Sequence, residues 1–193
     1  MINTLLLITS IVFLAGAVFF ATDSKNSLQS KLSAIILLIA GSSYMWMNHL
    51  YGFDNTTNLR TWRYLDWLFT VPILIYQMYL YLDPFGRTKG SLITSITCML
   101  AMLGLGFAGE AGIISKFLGG FLGTIFAIYT FVSLSNGIGK DKIKFYASVL
   151  TLWLFYPVVY FFTDSIWTIT MYALVDLTAK LGMAIYIKEN NEA

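Results

Sequence analysis

Asp176 and Lys180 stand four apart in the apolar run Leu174-Val-Asp-Leu-Thr-Ala-Lys-Leu-Gly182. On a helix that spacing puts both on one face, about 6 Å apart along the axis. Two kinds of chemistry suit the pair. It can be a buried ion pair that neutralises itself. Alternatively, an amine held among apolar side chains can form a Schiff base with an aldehyde cofactor, and the protonated form then needs a carboxylate counter-ion. Spacing alone leaves both open.

A second stripe lies in Arg63-Tyr-Leu-Asp-Trp-Leu-Phe-Thr-Val-Pro-Ile-Leu-Ile-Tyr-Gln77. Arg63, Asp66, Trp67 and Thr70 follow i, i+3, i+4, i+7 and line one helix face with a cation, an acid, a flat ring and a hydroxyl. Gln77 is eleven residues past Asp66 and returns to that face about 16 Å along the axis. Pro72 interrupts the backbone bonding, a defect tolerated where neighbours or water compensate. A purely structural helix rarely needs this polar set, which favours the cofactor chemistry. Trp153, Tyr156, Pro157 and Tyr160 repeat the i, i+3, i+4, i+7 spacing. Such an aromatic stripe is ordinary packing on its own; facing Trp67, it would wall a slot suited to a long conjugated ligand.

The elements that must position these residues are membrane spans. The chain has 193 residues, 58% hydrophobic and 11% charged, too apolar for an ordinary soluble domain. The apolar residues form runs of about 20, the length that crosses a hydrocarbon core. Seven are marked, at 3–21, 31–52, 60–82, 90–108, 113–134, 143–163 and 166–187. The first has no positive flank or convincing cleavage pattern and is read as a retained span. Short links make consecutive helices antiparallel neighbours. The expected fold is therefore an all-α membrane protein, a seven-transmembrane-helix bundle forming one domain over residues 1–193.

Charge sets the orientation. Lys25, Lys31, Arg87, Lys89, Lys140, Lys142, Lys144 and Lys188 fall on one side, and Arg60 and Lys116 on the other. This places the N-terminus outside and the C-terminus in the cytoplasm. Arg63, Asp66, Asp176 and Lys180 remain inside spans, where an ionisable group is costly and marks function. A net charge of +2 without a basic, aromatic-interleaved patch excludes nucleic acid as a partner. Cys98 stands alone, so there is no disulfide framework, and no His/Cys cluster has metal-ligand spacing. His49 reads as an interfacial side chain.

Arg63-Tyr-Leu-Asp-Trp-Leu-Phe-Thr-Val-Pro72, Trp153-Leu-Phe-Tyr-Pro-Val-Val-Tyr160 and Asp176-Leu-Thr-Ala-Lys180 resemble the third, sixth and seventh helix signatures of microbial rhodopsins. Gly109-Glu-Ala-Gly-Ile113 resembles proteorhodopsins in particular, and the compact loops resemble short virus-encoded rhodopsins. The resemblance implies all-trans retinal on Lys180 through a protonated Schiff base. It makes Asp66 the counter-ion and proton acceptor, with Asp176 the second carboxylate. Arg63, Thr70 and Gln77 would lie on the proton pathway. Tyr64, Trp67, Leu74, Trp153, Tyr156, Pro157 and Tyr160 would line the retinal pocket, and Leu74 implies green absorption.

The implied protein is a multi-pass protein of the host's plasma or cell membrane, a transporter and not an enzyme. Its partners would be the lipid bilayer, protons or other small cations, and further copies of the chain as a trimer or pentamer. Several positions depart from the pattern. Many outward proton pumps have an acid where this chain has Gln77, which cannot donate a proton; reprotonation would come through water or a group such as Asp83. Ser43 stands where proteorhodopsins carry a histidine, and Thr124 where many relatives have a tryptophan. Glu110 and Asp164 are candidate release groups or solvated helix-end acids. The expected activity is an outward proton pump without an internal donor, with a light-gated cation channel or a photosensor as alternatives.

Overall fold

A computed structural model describes residues 2–25, 27–51, 56–82, 89–135, 138–162 and 166–191. Asp83 and Asp164 lie outside the described residues. The helices are α1 (Ile2–Ala21), α2 (Leu28–Tyr51), α3 (Thr56–Tyr81), α4 (Lys89–Glu110), α5 (Lys116–Ser135), α6 (Ile143–Phe161), α7 (Ile166–Leu177) and α8 (Met183–Asn191). A π-helical turn, Thr178–Gly182, joins α7 to α8, so the expected seventh span is continuous in helix but not uniformly α. Strands are absent among the described residues. Gly112 takes φ 75° just past α4, a left-handed conformation that glycine adopts without penalty.

Six spans among the described residues are long and apolar enough to cross a membrane. The α7–α8 run supplies one of them, Trp167–Asn190. Helix α3 is long enough at 26 residues, but Arg63, Asp66 and Gln77 lower its apolar character. It crosses because those residues are covered by protein. Large apolar side chains such as Ile8, Val18, Phe69, Ile93 and Phe121 stay exposed on the helices, as expected where the solvent is lipid.

The chain divides into two compact units. Residues 1–70 and 163–193 form the first. There α1 and α2 approach closely at glycines: a Cβ on Gly41 would lie 2.8 Å from the Leu14 side chain, and one on Gly16 would lie 3.0 Å from Leu37. Ser10 Oγ donates to the Gly41 carbonyl at 2.8 Å, satisfying a hydroxyl that lipid could not. Phe13, Phe20, Leu37, Tyr44, Ala173 and Ala184 belong to the resulting core. At the end of α8, Lys188 Nζ donates to Asp23 Oδ1 at 2.6 Å, and Ser30 Oγ donates to the other oxygen at 2.5 Å.

Residues 71–162 form the second unit. Here α4 and α5 meet along glycines, since a Cβ on Gly119 would lie 2.6 Å from the Leu105 carbonyl oxygen. Thr130 Oγ1 donates across the same pair to the Ser95 carbonyl at 3.2 Å. Lys116 Nζ donates to the Phe162 carbonyl at 2.9 Å, supplying a partner for the chain just past α6.

Candidate functional site

The first unit brings together the acid of α3 and the amine and acid of the seventh helix. Lys180 lies in the π-helical turn and is 1% exposed. Its Nζ donates to Asp66 Oδ2 at 2.5 Å and to Asp176 Oδ2 at 3.4 Å. Both acids are buried. A buried ammonium is tolerable only when paired with anions, and here the amine has two.

The carboxylates are unevenly supplied with donors. Asp176 Oδ2 accepts from Tyr44 Oη at 2.9 Å. Trp67 Nε1 donates to Asp176 Oδ1 at 3.0 Å and reaches Oδ2 at 3.2 Å. Asp66 Oδ1, by contrast, has no hydrogen-bond partner among the described residues. Asp176 is therefore held in place by tyrosine, indole and lysine donors. Asp66 leans on Lys180 for its charge and keeps one buried oxygen able to take a proton.

Spacing on α3 translates directly into this geometry. Arg63, Asp66, Trp67 and Thr70 are all buried. Thr70 Oγ1 donates to the Asp66 backbone carbonyl at 2.9 Å, so it braces the turn rather than the carboxylate. The Arg63 guanidinium lies 4.2 Å from the Tyr172 ring centroid, 5.4 Å from Trp67 and 5.7 Å from Tyr64. Those rings meet edge to face, with Tyr64–Trp67 at 5.2 Å and Trp67–Tyr172 at 5.3 Å. The cation is thus held in an aromatic cage one turn from Asp66.

Tyr44, Phe13 and Tyr172 were not singled out from sequence. Tyr172 had a signal, since Tyr172, Asp176 and Lys180 follow i, i+4, i+8. Tyr44 and Phe13 sit in apolar runs whose pattern does not distinguish them. Phe13 packs on Tyr44 at 5.6 Å and lies 5.9 Å from Lys180 Nζ.

The remaining candidates lie in the second unit. Leu74 and Gln77 are buried on α3. Trp153 is buried on α6, 5.7 Å from Phe131 and 6.0 Å from Tyr156; its Nε1 has no hydrogen-bond partner among the described residues. Tyr156 and Pro157 are partly buried. Tyr160 Oη donates to the Gly106 carbonyl at 3.2 Å. Its ring fits beside glycines: a Cβ on Gly120 would lie 2.6 Å from Tyr160 Cε1, and one on Gly109 would collide with the hydroxyl.

The described residues suit a retinal-type aldehyde at Lys180. A primary amine can condense with an aldehyde, two carboxylates stand ready for the resulting cation, and Asp66 Oδ1 remains available. Among the described residues no group of His, Cys, Asp and Glu is arranged to hold a metal.

Comparison with known proteins gives the family and the fold. A family model described as "Bacteriorhodopsin-like protein" matches residues 1–189. The chain is 29% identical over 172 residues to the green-light absorbing proteorhodopsin of Gamma-proteobacterium EBAC31A08, covering 80% of this chain and 69% of that protein. Its fold matches the crystal structure of viral rhodopsin OLPVRII with a TM-score of 0.90 at 20% identity, covering 99% of this chain and 97% of that one. It also matches the light-driven proton pump LR (Mac) from Leptosphaeria maculans with a TM-score of 0.75 at 21% identity, over 99% of this chain and 92% of that one.

Proposed function

The chain belongs to the bacteriorhodopsin-like protein family, and on that premise we propose that it is a retinal-binding, light-driven transporter that moves protons outward. It is a multi-pass integral membrane protein. The observation that carries the reading is the uneven pair of carboxylates at Lys180: Asp176 saturated with donors, Asp66 closest to the amine and with one oxygen to spare.

Lys180 Nζ would hold all-trans retinal. When bound, retinal supplies the light absorption and an isomerisation that re-aims the nitrogen–hydrogen bond. The protein then moves a proton from Lys180 Nζ to the Asp66 carboxylate, because Asp66 is the carboxylate closest to that nitrogen and has an oxygen to spare. Asp176 stays in place, held by Tyr44 and Trp67. Arg63, caged by Tyr172, Trp67 and Tyr64, balances the second negative charge before transfer and stabilises the site. Gln77 cannot return a proton, so the return comes from water on the lysine-rich side. The charge count of the loops supports that side as the cytoplasm.

The test is expression with added all-trans retinal, followed by light-driven pH measurement on cells or vesicles. Outward acidification abolished by a protonophore is expected. Lys180→Ala should give no visible absorption, and Asp66→Asn should be coloured but move no protons. The buried Gln77 favours one second reading, a light-gated cation channel. Passive current that reverses with membrane voltage would establish that reading and end the first.

A further inference from the structure

We propose that Lys142, seated on the ring of Tyr81, is a stopper at the lysine-rich end of residues 71–162, and that releasing this contact sets how fast a proton re-enters from solution. The inference rests on the proton-pump reading and deepens it. The proton comes from bulk water and ends on the Lys180 nitrogen, replacing the one passed to Asp66.

Gln77 is fully buried. Tyr81 is four residues on, one turn nearer the end of α3 on the same face, and 5% exposed. Phe145 of α6 meets its ring at 4.5 Å between centroids and 65° between planes. Leu82 and Phe145 are buried beside it. Beyond this layer, Lys142 precedes the first residue of α6 and sets its Nζ 4.0 Å from the Tyr81 ring centroid. Lys142 keeps 22% of its side chain exposed, whereas Asp141, 4.0 Å away, is 74% exposed. That acid is mostly in water and screens the ammonium weakly. The order from solution inward is thus a cation, a tyrosine ring wedged by phenylalanine, and a glutamine.

Two physical consequences follow. A cation outside this layer disfavours an approaching hydronium ion. A cation–π contact at a partly exposed site is weak, so it opens readily, and its loss changes the open population about two- to fivefold. Simple snorkelling of a lysine stem over an apolar ring would need only the methylenes. The two accounts therefore separate when the charge is removed and the stem kept.

The variants are Lys142→Met, with Lys142→Gln as a second charge-free form, Tyr81→Leu, Tyr81→Phe and the restoring Lys142→Arg. One readout is recovery of visible absorbance after a flash in the retinal-loaded protein. The other is amide hydrogen exchange of residues 78–82 in retinal-free protein. Lys142→Met, Lys142→Gln and Tyr81→Leu should speed recovery about two- to fivefold and raise that exchange. Tyr81→Phe and Lys142→Arg, which keep ring and cation, should behave as the unaltered protein. Unchanged recovery and exchange in Lys142→Met and Lys142→Gln would overturn the stopper while leaving the pump intact. A coloured, unaltered protein that moves no protons would overturn both readings.

Discussion

Tyr44 and Trp67 give Asp176 donors of a kind absent from Asp66 Oδ1 among the described residues. A hydrogen bond to a buried carboxylate contributes about 1.5–3 kcal/mol. Tyr44→Phe should therefore lower the thermal stability of the retinal-free protein by about that amount, measured by heat unfolding in detergent. The same variant should make Asp176 compete with Asp66 for the proton, slowing outward release without abolishing colour. Stability and release rate both unchanged would show that the tyrosine bond carries no weight. The acid–amine set itself was legible because helical spacing and the cost of buried charge act on residues seen in sequence. Tyr44 was not legible: a tyrosine in an apolar run reads as packing until the structure brings its hydroxyl to an acid 132 residues away.

At the scale of the helices, two contacts between elements invite measurement. The Lys188 ammonium and the Ser30 hydroxyl, both hydrogen-bonded to Asp23, hold its carboxyl below the ordinary value of 3.8. A carboxyl lowered by folding stabilises the protein above its ordinary value, and that contribution disappears as pH falls through the folded value. The unaltered protein should thus be more heat-stable than Asp23→Asn near neutral pH, and the gap should close as pH falls below the ordinary carboxylate value and through the lowered folded one. A constant gap would assign the difference to packing. In the second unit, Gly109→Ala drives a methyl group into the Tyr160 hydroxyl, a cost of about 1–3 kcal/mol by overpacking. Adding Tyr160→Phe removes that hydroxyl, so the double variant should lose less heat stability than the sum of the singles. Additive losses would place the strain elsewhere. Helix ends followed the apolar runs to within a few residues, because length and hydrophobicity set them. The π-helical turn had no such signal, since its sequence reads as uninterrupted helix.

For the whole chain, an odd number of membrane crossings puts the termini on opposite sides. Cys98 is the only cysteine, so Cys98→Ser gives a background in which Asn3→Cys and Glu189→Cys can each be labelled. An impermeant thiol reagent on intact cells should modify the first and not the second until the membrane is opened. The reverse pattern would overturn the orientation drawn from loop charge. The membrane class was legible throughout, because a chain this apolar has few other ways to bury its surface. What sequence could not provide was phase. A π-helical turn amounts to one residue more than an α-helix requires, and Thr178–Gly182 carries that surplus between Asp176 and Lys188. Deleting Leu181 would remove that surplus and let the turn close as ordinary α-helix, leaving the helix beyond it in the same phase. Lys188 would then still face Asp23, whereas deleting Ile185 from the regular α-helix would turn Lys188 away by about 100°. The turn is therefore the one place between the two lysines where the chain can change length without changing what faces what.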